Sequence, residues 1–233
     1  GLSIRCPLLP GHGTTPEDLT RIRWQDWAGA VESALDDLQG RCDVVFVGGL
    51  SLGSLLTLWL GAQHPKLAGL IPMAPAIKLQ NRLLPLSVAL RHLLKYNPFG
   101  PIGDDDLGDP EAIRRVWCYD QTPLWGGGEI YRLQRAVTKA LPSIHQPVLI
   151  FQGRRDAQVD PRAADILRDS IGSTDKTVIW LEHSGHNLLV DGQRESVWAQ
   201  SYAWMMERVP GQDTHGGIGT NGAVARSGPE RGR

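Results

Sequence analysis

Val44-Val45-Phe46-Val47-Gly48-Gly49-Leu50-Ser51-Leu52-Gly53-Ser54-Leu55-Leu56 is the stretch from which the fold follows. A short apolar, β-branched run stops at Gly48-Gly49, and a leucine-rich helical pattern starts directly after Ser51. Gly49-Leu50-Ser51-Leu52-Gly53 fits G-x-S-x-G, a strand-to-helix turn that presents a serine hydroxyl at its apex. Such a sharp turn brings the backbones on either side together, so the residues two places before and after the serine are expected to lack side chains. The continuous apolar strand Val44–Val47 is the kind buried on both faces of a parallel sheet.

Outward from this turn, strand and helix alternate. Apolar residues at 24, 27, 28, 31, 35 and 38 predict a helix over Trp24–Leu38. The helix after Ser51 should end near His64-Pro65, followed by a strand over Leu67–Met73. Further strands are expected at Pro147–Phe151 and Lys176–Leu181, with a helix over Pro161–Ile171 between them and a last one over Arg194–Val209. This rhythm predicts an α/β fold, a mainly parallel sheet with helices on both faces. Leu2-Ser3-Ile4-Arg5-Cys6 also reads as a strand.

Residues 76–142 break the rhythm with many prolines and three helical patches, Leu83–Lys95, Pro110–Cys118 and Glu129–Leu141. They read as a helical cap on a core formed by 1–75 and 143–209. Leu83, Leu84, Leu86, Leu90, Leu93, Leu94, Trp117 and Trp125 either pack this cap onto the core or line an acyl pocket. Gly126-Gly127-Gly128 reads as a hinge or loop within it. Residues 210–233 hold little to bury and read as a disordered tail.

The bulk numbers narrow the function classes. With 233 residues the chain can hold one sizeable core, and a net charge of −1 with interspersed signs leaves no footprint for nucleic acid. No apolar run reaches the ~18 residues that span a bilayer. Cys6, Cys42 and Cys118 fit neither a disulfide framework nor a zinc spacing, and read as buried thiols in a reducing, cytoplasmic compartment. No cluster has ligand spacing and there is no P-loop, so neither metal nor cofactor is expected.

A serine nucleophile needs a base, most often histidine. Among seven histidines, His183 and His186 lie in the loop directly after the last strand, where ligands of open α/β sheets bind. His186, preceded by Ser184-Gly185, is preferred to His183. The acid that orients the imidazole is sought after the preceding strand, in Gln152-Gly153-Arg154-Arg155-Asp156-Ala157-Gln158-Val159-Asp160. Asp160 precedes Pro161 and is explained as a helix cap, which leaves Asp156.

With the order Ser51, Asp156, His186, the chain resembles α/β-hydrolases of the small carboxylesterase and monoacylglycerol lipase group. The resemblance rests on Gly49-Leu50-Ser51-Leu52-Gly53, Leu9-Pro10-Gly11-His12-Gly13, Gly153-x-x-Asp156 and Ser184-Gly185-His186, and covers residues 1–209. It implies hydrolysis of carboxylic esters, monoacylglycerol-like or short-to-medium acyl, through an acyl-serine, with a small-molecule ester as the partner. It also implies a structural role for His12. The backbone N–H of Leu52, next after the nucleophile, is the expected oxyanion donor.

By comparison with that group, the first strands are missing, and with them the loop that supplies a second oxyanion donor. The lost strand would lie between Leu2–Cys6 and Val44–Val47, leaving a gap of about twice the ~4.8 Å strand spacing. The chain therefore reads as an N-terminally truncated fragment, or else as one whose strands rearrange to close the gap. The alternative function is a catalytically impaired or non-catalytic α/β-hydrolase-like chain that binds a ligand or partner.

Overall fold

The computed structural model describes residues 2–97 and 107–210. Four parallel strands form one sheet in the order β1-β2-β3-β4: β1 Phe46–Leu50, β2 Gly69–Met73, β3 Val148–Gly153 and β4 Lys176–Leu181. Register runs Leu50 to Met73, Met73 to Phe151 and Gly153 to Leu181, so the carboxyl ends of all four strands form one rim. The central strands β2 and β3 are buried along their whole length, which explains their unbroken apolar character.

Side chains alternate across the sheet and create two cores. Leu70, Val148 and Ile150 point to one face, where α1 (Trp24–Gln39), α2 (Leu52–Gln63) and α5 (Arg162–Ser170) supply Trp27, Leu55 and Leu167. Ile71, Leu149 and Phe151 point to the other, covered by α6 (Arg194–Met206) through Val197 and Trp204. Deep burial of Leu55, Leu58 and Leu60 accounts for the leucine-rich composition of α2, which Pro65 terminates.

The segment read as a cap holds α3 (Leu84–Leu90), a 3-10 turn over Pro110–Arg115 and α4 (Leu124–Ala140). The glycine run Gly126-Gly127-Gly128 is not a hinge or loop: it lies inside α4. A Cβ on Gly127 would sit 3.5 Å from Leu84 and one on Gly128 3.3 Å from Arg91, so this side of α4 faces α3 and the residue that follows it. Buried Glu129 of α4 pairs with Arg91 at 2.7 Å and accepts the N–H of Trp24 at the start of α1. Tyr119 donates to the Gly11 carbonyl at 2.9 Å and accepts from the Thr14 N–H at 3.0 Å. The indole of Trp125 donates to the Ile22 carbonyl at 2.7 Å. These bonds moor the segment to residues 11–24. The second half of α4 buries Leu133 and Val137 in the main core.

Three further expectations change here. Leu2–Cys6 is not a strand; Leu2 is 52% and Ile4 72% exposed. A strand needs a ladder partner for its N–H and C=O groups, and a cavity of about 590 Å³ separates this segment from β1. Leu2, Ile4, Phe46, Tyr202 and Met205 are among its lining residues. Cys6 and Cys118 are exposed and Cys42 half-buried, so none is the buried thiol expected, although all three are free. Leu83, Leu86, Leu90, Leu93 and Leu94 face solvent, neither packing the cap onto the core nor lining a pocket beside His186. The tail expected over 210–233 lies outside the described residues after Pro210.

Candidate active site

β1 delivers Ser51 to the rim with φ 55° and ψ −111°, a left-handed conformation rare for a residue with a side chain. Its N–H extends the ladder by donating to the Met73 carbonyl at 2.9 Å, while its own carbonyl accepts from Ser54 N at 3.0 Å as α2 begins. The turn is sharp enough that a Cβ on Gly49 would lie 2.5 Å from the Gly53 carbonyl carbon and oxygen. An added Cβ on Gly53 meets nothing within 4 Å. The steric demand expected at both glycines therefore falls on Gly49 alone. Leu52, the first residue of α2, carries one of the N–H groups that a helix cannot satisfy internally.

The loops after β3 and β4 are joined backbone to backbone. Arg154 N donates to the Leu181 carbonyl at 3.0 Å and Arg155 N to that of Ser184 at 3.1 Å. Gly153 is required at this contact, since its Cβ would fall 2.4 Å from the Gly185 carbonyl. The join brings together the two expected side chains: Nδ1 of His186 lies 3.1 Å from both carboxylate oxygens of Asp156. Both residues are buried. Asp156 is oriented in turn, because Oδ1 accepts from Gln158 N at 2.9 Å and Val159 N at 2.8 Å, and Oδ2 from the Gln152 amide at 3.0 Å.

The alternatives fall elsewhere. His183 is exposed, and its N–H donates to the Gln193 side chain at 2.8 Å. Asp160 accepts from Arg162 N at 3.0 Å at the start of α5; the Arg162 guanidinium, helped by Lys78, holds its carboxyl far below the usual range. His12 packs edge-on against Trp27 with ring centroids 5.9 Å apart.

Gln152 is a further residue that orients Asp156, and its sequence signal is one amide at the end of an apolar strand: a polar side chain buried there needs a partner. A cavity of about 300 Å³ opens beside His186, lined also by Leu19, Trp117, Tyr119, Gln158 and Asn187. Of the aromatic residues singled out in the cap, Trp117 is thus the one that reaches this space. Among the described residues, no group of three or more His, Cys, Asp or Glu side chains is placed to hold a metal. Among the described residues, no helix is long and apolar enough to cross a membrane.

The family model for serine aminopeptidase, S33, matches residues 9–193. A thermostable monoacylglycerol lipase of Bacillus sp. (strain H-257) is 34% identical over 191 residues, 82% of this chain and 74% of that protein. A carboxylesterase of Bacillus subtilis (strain 168) is 25% identical, over 88% of this chain and 81% of its own length. Among solved structures, one from work on the metagenome-derived lipolytic enzymes LipS and LipT superposes with a TM-score of 0.76 at 30% identity. The match covers 86% of this chain and 80% of that one.

Proposed function

The chain belongs to the serine aminopeptidase S33 family of α/β-hydrolases, and on that premise we propose that it hydrolyses carboxylic esters through an acyl-serine intermediate. The observation that carries the reading is the Asp156–His186 contact on the same strand rim that ends in the left-handed Ser51. The relatives named monoacylglycerol lipase and carboxylesterase support esters of monoacylglycerol type or with short-to-medium acyl groups.

In this mechanism the Ser51 hydroxyl attacks the ester carbonyl carbon while His186 takes its proton. Asp156, held by three donors of its own, fixes the imidazole with Nδ1–H toward the carboxylate. The carbonyl oxygen becomes an oxyanion, and the Leu52 N–H donates to it. Collapse of the tetrahedral species expels the alcohol, which receives the proton from His186. Water then attacks the acyl-serine with His186 as base, and the acid leaves. The cavity between Trp117, Tyr119 and His186 is the space proposed for the substrate. Residues 76–142 serve as its cap, over a core of 1–75 and 143–209. The free cysteines support a reducing compartment such as the cytoplasm.

Chromogenic esters of graded acyl length, offered to the protein and to Ser51→Ala, test the assignment. Turnover that Ser51→Ala abolishes is expected, together with labelling of Ser51 by a fluorophosphonate. Equal turnover by both proteins would overturn it, and an unlabelled, inactive wild type would favour the non-catalytic reading.

A further inference from the structure

Asp191, five positions after His186 in the sequence, has no exposed surface. Its carboxylate accepts four backbone N–H groups, two on each oxygen. Oδ1 takes those of Asp109 at 2.8 Å and Gly192 at 2.7 Å; Oδ2 takes those of Gly108 at 3.0 Å and Gly185 at 2.8 Å. Among the described residues no cation is within ion-pair distance of it. A buried carboxylate without a counter-ion is costly unless its lone pairs are met, and charge-assisted bonds from backbone N–H groups meet them. Burial works to raise its pKa, and the N–H groups of Gly108, Gly185, Gly192 and Asp109 outweigh that and hold it below the ordinary value. The group is therefore ionised at neutral pH.

The four donors do not come from one loop. Gly185 immediately precedes His186, whereas Gly108 and Asp109 lead into the Pro110–Arg115 turn of the cap. The two backbones touch: a Cβ on Gly108 would lie 2.0 Å from the His183 carbonyl oxygen. Asp109 is tied down further by Arg115 at 3.2 Å and Arg194 at 3.6 Å. The peptide before the imidazole is thus fastened to the cap by one carboxylate.

We propose that Asp191 is a positioning residue for His186, clamping the Gly185 peptide to cap residues Gly108 and Asp109 so that the seating of the cap sets the place of the imidazole. The inference rests on the esterase reading above for its kinetic consequence, and on the bonding pattern alone for its structural one. Without the carboxylate, the buried N–H groups of Gly185 and Gly108 lose their acceptor and the backbone at His186 is free to shift. Misplacement of a reacting group by about 1 Å costs on the order of 10²-fold in rate.

Asp191→Asn tests the clamp, because its amide keeps one acceptor oxygen and turns an NH2 toward two N–H donors. The expected result is a kcat lower by about 10- to 100-fold with KM changed less than about twofold. The proton resonance of the His186 Nδ1–H···Asp156 bond should also shift or broaden. An unchanged resonance in the folded variant overturns the proposal. If Asp191→Asn fails to fold, amide exchange in the wild type decides: Gly108, Asp109 and Gly185 should exchange together, and independent exchange of Gly185 overturns the clamp. A wild type that turns over no ester defeats the esterase reading, while the resonance and exchange measurements still judge the clamp.

Discussion

The two flanks of the sheet hold their parts of the site by different means. On the β4 flank, the loops carrying Asp156 and His186 are joined through Arg154 and Arg155. The side chains are then fixed by Gln152, two backbone N–H groups and, one step removed, Asp191. On the β1 flank, Ser51 is held by the turn itself and by one bond to Met73. Beyond it, β1 pairs with β2 alone among the described strands, and the cavity of about 590 Å³ adjoins its free side. The Asp156–His186 pair is secured by buried polar bonds, Ser51 by backbone geometry. The first can be undone one hydrogen bond at a time; the second fails through sterics.

The largest effect should come from cutting the β4 flank at its centre. His186→Ala or Asp156→Asn is expected to lower kcat by about 10³- to 10⁴-fold with the fold intact, as steady-state turnover beside circular dichroism would show. A loss under tenfold would mean that the buried pair is structural only. Next is the steric lock of the other flank. Gly49→Ala places a methyl 2.5 Å from the Gly53 backbone, and urea unfolding should show a loss of about 2–3 kcal/mol together with impaired turnover.

Gln152→Leu sharpens the contrast, since it removes one of three donors to Asp156 and leaves the other two. A kcat lower by roughly tenfold is expected, in line with the ~1–1.5 kcal/mol of a single hydrogen bond, with little change in KM. Acid should then erase part of the β4 flank's advantage. The folded pKa of Asp191 is depressed below 3.8. The stability it contributes is therefore complete above about pH 4 and is lost as pH falls through the folded value. The gap in unfolding free energy between wild type and Asp191→Asn should narrow below about pH 4; a gap constant to pH 2.5 would contradict this. Smallest of all is the outer segment. Ile4→Asp at a 72% exposed site should shift stability by no more than about 0.5 kcal/mol. A larger loss would show that residues 2–5 brace β1.

The strands β2, β3 and β4 and helix α2 were legible because their signals are local: short apolar runs bounded by glycine and proline, and a leucine pattern halted at Pro65. The expectation that pairs Asp156 with His186 came from strand ends and chain order, and the two side chains do meet. What was illegible depends on distant partners. Leu2–Cys6 has strand composition but no neighbour to bond with, and composition cannot reveal that. Gly126-Gly127-Gly128 resembles a break until α3 is seen lying against it. The exposed leucines of α3 follow a helical spacing, which reports a face without saying what the face meets. Asp191 and Glu129 look like ordinary polar residues in the sequence, and their partners at Gly108 and Trp24 appear only after folding.

The bonds that moor residues 119–129 bear on the order in which the molecule forms. Tyr119 reaches Gly11, Trp125 reaches Ile22 and Glu129 reaches Trp24, each across more than 100 positions of chain. At a synthesis rate of about 5–20 residues per second, residues 11–24 wait on the order of 5–20 seconds for these partners. Contacts so distant in sequence must also meet their loop-closure cost before they return any stability. Residues 11–24 are thus made well before residues 119–129, and the bonds between them are secured late.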